Sequence, residues 1–136
     1  MNRKEARQLL MQLIYQMELL NDHSQETKDK YITFHFENST QKGYADKLIN
    51  LVLANMEAID AKLNEHSNKW KTTRMPKVDL AVLRLATAEI LYMDDIPDAV
   101  AINEAVTMAK KFGAEEESGS LINGILGKIA KGKDAE

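Results

Sequence analysis

Apolar residues return at steps of three and four along most of this chain, and nowhere do they alternate as a half-buried strand requires. The fold class this predicts is all-α. Ala6, Leu9, Leu10, Leu13, Ile14 and Met17 mark the buried stripe of a first helix. Asn2 followed by Glu5 has capping-box spacing, so that helix is expected to begin near Arg3. It should end near Leu20, before the polar run Asn21-Asp22-His23-Ser24. Between Gln25 and Phe36 the pattern is mixed, and Tyr31, Phe34 and Phe36 point to a short packed helix. Gly43 reads as a break, after which Tyr44, Leu48, Leu51, Val52, Met56, Ile59 and Leu63 predict one amphipathic helix over 44–63.

The second half carries the sharpest periodicity. Val78, Ala81, Val82, Leu85, Ala88, Glu89 and Tyr92 form an almost wholly apolar stripe of a helix over about 77–93. Pro76 suits a helix start, and a short turn of helix is expected before it. Asp94-Asp95-Ile96-Pro97 interrupts the pattern, and the two aspartates read as capping residues for the next helix. That helix buries Ile102, Ala105, Val106, Ala109 and Phe112. Lys110 and Lys111 fall in its last turn, and Gly113 is expected to supply a left-handed C-cap. A final helix starting near Ser118 or Ser120 should bury Leu121, Ile122, Ile125, Leu126 and Ile129. Gly124 and Gly127 each weaken it by about 1 kcal/mol relative to alanine, and close approach to a neighbouring helix is the expected return. The tail from Gly132 to Glu136 reads as frayed.

At 136 residues the chain has the size of one domain, 1–136, and buries about two-thirds of the surface its unfolded form exposes. Its 44% hydrophobic and 29% charged content, with two prolines and six glycines, fits a helical globular protein rather than a disordered one. No apolar run approaches the roughly 20 residues that span a bilayer, and no signal-peptide core opens the chain. A cytoplasmic location and no membrane partner are expected. A net charge of −3 means that any contact with nucleic acid must be local.

Candidate chemistry is sparse. Without cysteine there is no disulfide, thiol nucleophile or thiolate metal site, and His23, His35 and His66 are scattered without ligand spacing. No P-loop, dinucleotide fingerprint or nucleophile elbow is present. Neither catalysis nor a metal or cofactor is expected, so binding is the better reading. Arg3, Lys4 and Arg7 share an arc of about 100° beside the apolar stripe of the first helix. Cations in a first turn oppose the helix dipole, and a phosphate ligand would reverse that sign; an ordinary solvated N-terminus is the alternative. A second basic run, Lys69, Lys71, Arg74 and Lys77 around Trp70, has the make-up of a single-strand binder, but a tryptophan between helices is more often packed.

The block from Val78 to Gly124 also resembles the NusB family of transcription antitermination factors. The likeness runs through Val78-Asp79, Leu83-Arg84-Leu85-Ala86, Glu89, Leu91-Tyr92, Asp95-Ile96-Pro97, Val100 to Ala105, Ala109-Lys110, Phe112-Gly113 and Asn123-Gly124. It implies about seven helices in two small bundles packed crosswise, with halves near 1–65 and 76–131. It implies a factor without catalytic activity that binds boxA-type single-stranded RNA together with the NusE ribosomal protein. With other Nus factors, that assembly keeps elongating RNA polymerase from terminating, notably on ribosomal RNA operons.

Carried over, the resemblance places RNA on Arg3, Lys4 and Arg7 and on the turn with Lys110, Ser118, Ser120 and Leu121. It places the protein partner on Tyr15 and Asp79. Asn103 and Glu104 match the family string but read as helix–helix hydrogen-bonding residues. The chain departs from the family pattern in one extra residue between Phe112 and Asn123, in Leu121 where phenylalanine is usual, and in Ser120 where lysine is common. Loss of that ring removes a stacking surface of about 1–3 kcal/mol per base, and Glu115, Glu116 and Glu117 repel phosphate unless they point away. An adaptor that binds only protein, with a weakened RNA site, is therefore the alternative. So is a substrate-holding module of an RNA methyltransferase, although the chain ends without a cofactor-binding segment. The oligomeric state is left as monomer or homodimer.

Overall fold

The computed structural model of the chain describes residues 1–135, and side-chain surroundings through Lys133. Seven helices make up these residues: α1 (Arg3–Leu20), α2 (Gln25–Phe36), α3 (Lys42–Ala54), α4 (Met56–His66), α5 (Lys77–Tyr92), α6 (Asp98–Phe112) and α7 (Ser118–Ala135). No strand forms among the described residues. The all-α class follows from the periodicity, and the two outer ends of α1 fall where the caps place them. Asn2 Oδ1 accepts the Glu5 amide at 2.8 Å, and Asn21 closes the helix in the left-handed region at φ 50°.

The fold is built around α5. It contacts α1, α3 and α4 from the first half of the chain and α6 and α7 from the second. Every residue from Asp79 to Ile90 is buried. The single stripe read from the sequence is therefore too narrow: Leu80, Leu83, Ala86, Thr87 and Ile90 are covered as well. A helix with five neighbours has no solvated face. As a result Asp79, Arg84 and Glu89 are carried into the interior, where each requires a partner.

The helix expected over 44–63 is two helices. Asn55 interrupts it at φ −121° and ψ 21°. Its side-chain amide donates to the Leu51 carbonyl at 2.8 Å, offering the backbone a competing partner, as mid-helix asparagine tends to do. The buried stripe survives the break, with Leu48, Val52, Ile59 and Leu63 fully covered. Gly43 lies inside the first turn of α3 rather than ahead of it. In α2, Phe36 is fully buried and Tyr31 half-buried, but Phe34 is 81% exposed, so only two of the three aromatics pack. Before Pro76 there is one hydrogen-bonded turn, in which the Lys71 carbonyl accepts the Arg74 and Met75 amides.

Four expectations for the second half are corrected. Pro97 is the N-cap of α6 and no side chain caps that helix, so Asp94 and Asp95 do not have the capping role. Gly113 is extended, at φ −62° and ψ 154°, not left-handed. Its glycine serves space instead: a Cβ there would lie 2.3 Å from the Ala109 carbonyl oxygen and 2.7 Å from Ser118 Cβ. Gly124 and Gly127 have nothing within 4 Å of a built Cβ, so neither marks a close helix approach; Gly119, 3.1 Å from Lys110 Cγ, does. The tail is helical to Ala135, and of the segment expected to fray only Glu136 lies outside the described residues.

Candidate nucleic-acid interface

The three N-terminal cations do not form one exposed knot. Arg7 is buried, a correction to its expected place beside the apolar stripe. Its guanidinium grips Glu89 of α5 with two bonds, Nε to Oε1 at 3.0 Å and Nη2 to Oε2 at 2.9 Å. Burial alone would lower the Arg7 pKa, but the Glu89 hydrogen bond and charge more than reverse this, and it is raised. The Tyr44 hydroxyl of α3 donates to the same Glu89 Oε1 at 3.2 Å. Burial first, and then the Glu89 carboxylate, push that hydroxyl far above the usual tyrosine range, so it stays a neutral donor.

Arg3 and Lys4 remain at the surface. Arg3 lies over the Tyr44 ring, 3.9 Å from its centroid, and its Nε donates to Gln41 at the N-cap of α3. The Tyr44 ring thus has Arg3 on it and Arg7 at 5.7 Å. Cation–π contact and one hydrogen bond hold the Arg3 guanidinium in place without neutralising it. Among these partners, Tyr44 is marked in the sequence only as part of an apolar stripe, and Gln41 is not marked at all. The one available signal was Glu89, a charge within an otherwise apolar stripe.

At the other end of α5, the connection between α6 and α7 is pinned from below. Ser118 is buried, its Oγ donates to Asp79 Oδ2 at 3.0 Å, and it accepts the Glu115 amide at 3.2 Å. The residue expected to face RNA and the residue expected to face the protein partner are therefore bonded to each other. Burial raises the Asp79 pKa, and the Ser118 hydroxyl and Ala114 amide draw it back only in part. Ser120 is exposed, Leu121 is half-buried against the core, and Lys110 is exposed with its stem against Gly119. From Asp79 to Glu89 is ten residues of helix, so the two ends of the candidate surface lie about 15 Å apart along α5.

The carboxylates of the connection are partly accounted for. Lys69 Nζ lies 3.2 Å from Glu115 and 3.8 Å from Glu117, while Glu116 is exposed. Of the rest of the second basic run, Lys71 Nζ donates to the Asn64 carbonyl at 2.9 Å and Lys77 lies 4.0 Å from Glu18, while Arg74 is exposed and makes no side-chain hydrogen bond or ion pair among the described residues. Trp70 is half-buried and packs on the core. Tyr15 is half-buried at the edge of α1. Asn103 is exposed and makes no side-chain hydrogen bond to another helix among the described residues, so the helix–helix reading of it is corrected. Glu104 lies within electrostatic reach of Arg7.

Comparison with known proteins agrees with this architecture. The profile of the NusB family matches residues 4–131. The transcription antitermination protein NusB of Alkaliphilus oremlandii is 43% identical over 131 residues, covering 96% of this chain and 94% of its own. That of Acetivibrio thermocellus is 44% identical over 133 residues, covering 98% and 91%. The structure of T. maritima NusB superposes with a TM-score of 0.86 at 33% identity, over 96% of this chain and 92% of that one. A crystal structure of antitermination factors NusB and NusE in complex with dsRNA gives a TM-score of 0.82 at 26% identity, over 96% of both chains. Alike in sequence through 4–131 and alike in fold over nearly its whole length, the chain belongs to the NusB family.

Proposed function

We propose that the protein is a transcription antitermination factor that captures boxA-type RNA together with the NusE ribosomal protein and so keeps RNA polymerase elongating. Family membership supports this, as do relatives that carry the antitermination name and a neighbour seen with NusE and dsRNA. Its work is assembly on RNA, done where the polymerase is, in the cytoplasm. RNA contacts Arg3 and Lys4 at the start of α1 and Lys110, Ser120 and Leu121 at the α6–α7 end. Arg7 and Ser118 act from beneath, holding the two ends in place, and Asp79 serves the partner surface indirectly by fixing the start of α5. Tyr15 is the direct partner contact.

The observation that carries this reading is the placement of Arg3: fixed on the Tyr44 ring, exposed, and without a carboxylate partner among the described residues, while Arg7 beneath it is fully paired. A guanidinium held in this way meets a phosphate with little ordering cost. Reversing both surface charges, Arg3→Glu with Lys4→Glu, is expected to weaken capture of a boxA-type oligonucleotide at least tenfold while NusE binding is retained. Anisotropy titration with the RNA in single- and double-stranded form, with and without NusE, reads this. Undiminished capture by the doubly reversed protein sinks the assignment. An adaptor with a decayed RNA site is favoured by the half-buried Leu121, which offers no ring; it predicts that RNA adds nothing to the NusE complex.

A further inference from the structure

The α6–α7 connection places three consecutive glutamates within about one turn of Ser120 and Leu121, where phosphate repulsion would be felt. Two of the three converge on one lysine from a distant part of the chain. Lys69, in the segment between α4 and α5, has its Nζ 3.2 Å from Glu115 Oε2 and 3.8 Å from Glu117 Oε1. The backbone of Glu115 is held from the other side, through the Ser118 hydroxyl that is itself bonded to Asp79. The lysine also lies 5.7 Å from the ring of Trp70, which packs against the core and limits where the Lys69 stem can swing. Backbone and side chain of Glu115 are thus constrained by separate elements.

We infer that Lys69 is a positioning residue for the RNA surface: it draws Glu115 and Glu117 toward the α4–α5 segment and offsets part of their charge, so that the connection admits a polyanion it would otherwise repel more strongly. This rests on the proposed RNA role of the α6–α7 end. The pair is partly exposed, with the Lys69 side chain 45% and Glu115 39% accessible, so it adds little to folding stability. Its consequence is electrostatic. A released carboxylate within one Debye length, about 8 Å, of a bound phosphate disfavours it, and two such groups lower affinity by about three- to tenfold at physiological salt.

The test is a double-mutant cycle on the full chain, titrated against a fluorescent boxA-type oligonucleotide in the presence of NusE. Lys69→Met is expected to weaken binding about three- to tenfold in the parent background and less than about twofold when Glu115→Gln and Glu117→Gln are already present. Thermal unfolding midpoints of the variants should stay together, since the pair is at the surface. If Lys69→Met costs the same in both backgrounds, the lysine touches RNA itself and the inference is overturned; if it costs nothing in either, the carboxylates never faced the RNA and it is overturned equally. Failure of the broader functional reading looks different: the parent protein then captures RNA no better than the Arg3→Glu/Lys4→Glu variant, which removes the basis for both.

Discussion

Arg7 and Glu89 meet where neither charge has water to fall back on, with 6% and 2% of their side chains accessible. A buried pair of this kind is weak evidence of net stabilisation, yet removing one partner strands the other and costs about 3–5 kcal/mol. Arg7→Met is therefore expected to lower the unfolding free energy by about that amount in a urea titration. Combining it with Glu89→Gln, which keeps an acceptor for the Tyr44 hydroxyl, should recover at least half of the loss. The same pair of variants separates the two roles open to Arg7. If it only supports Tyr44 and hence Arg3, the double variant binds RNA within about threefold of the parent. A tenfold loss in the refolded double variant would place Arg7 on the phosphate itself.

On the scale of helices, how much was legible depended on whether a pattern had one face or two. The ends of α1 follow from Asn2 and the polar run after Leu20, since capping is a local matter of one side chain and one amide; the start of α2, which Ser24 caps by accepting the Thr27 amide, falls at the end of that same run. The all-round burial of α5 was not legible, because periodicity reports a preferred face and cannot report five neighbours. The same limit hid the site: Arg7 reads as a surface cation until Glu89 and Tyr44 are brought to it from 82 and 37 positions away in sequence. Glycine was misread for a related reason, since its sequence position does not say whether it serves torsion or space. That distinction is measurable. Gly124→Ala, in open space within α7, is expected to stabilise the protein by about 0.5–1 kcal/mol, whereas Gly113→Ala forces Ala109 and Ser118 apart and should destabilise it by about 1–3 kcal/mol. Matching denaturant midpoints for the two variants would refute the spatial account of Gly113.

Taken whole, the molecule carries a net charge of −3, so if it holds RNA as proposed, affinity depends on where its positive charge is left unpaired. The fold uses part of it between helices: Arg84 bonds Glu18 and Asp60, Arg7 bonds Glu89, and Lys133 bonds Asp98. These pairs tie α5 to α1 and α4, and α7 to α6; Arg3 and Lys4 at one end of the candidate surface and Lys110 at the other stay exposed, with Lys111 and Lys128 exposed near the second. Three phosphates neutralised on a single strand correspond to a slope of about −2 in log affinity against log salt. Arg3→Glu with Lys4→Glu should flatten that slope to about −0.7 or less as well as weaken binding, because two of the three counterion-releasing contacts are gone. Tyr44→Phe makes the opposite kind of change, keeping the ring under Arg3 and the charge count, so its slope should stay near −2 even where the absolute affinity shifts. A slope that is insensitive to the charge reversal, or one already near zero in the parent protein, would mean that RNA is held by something other than these cations.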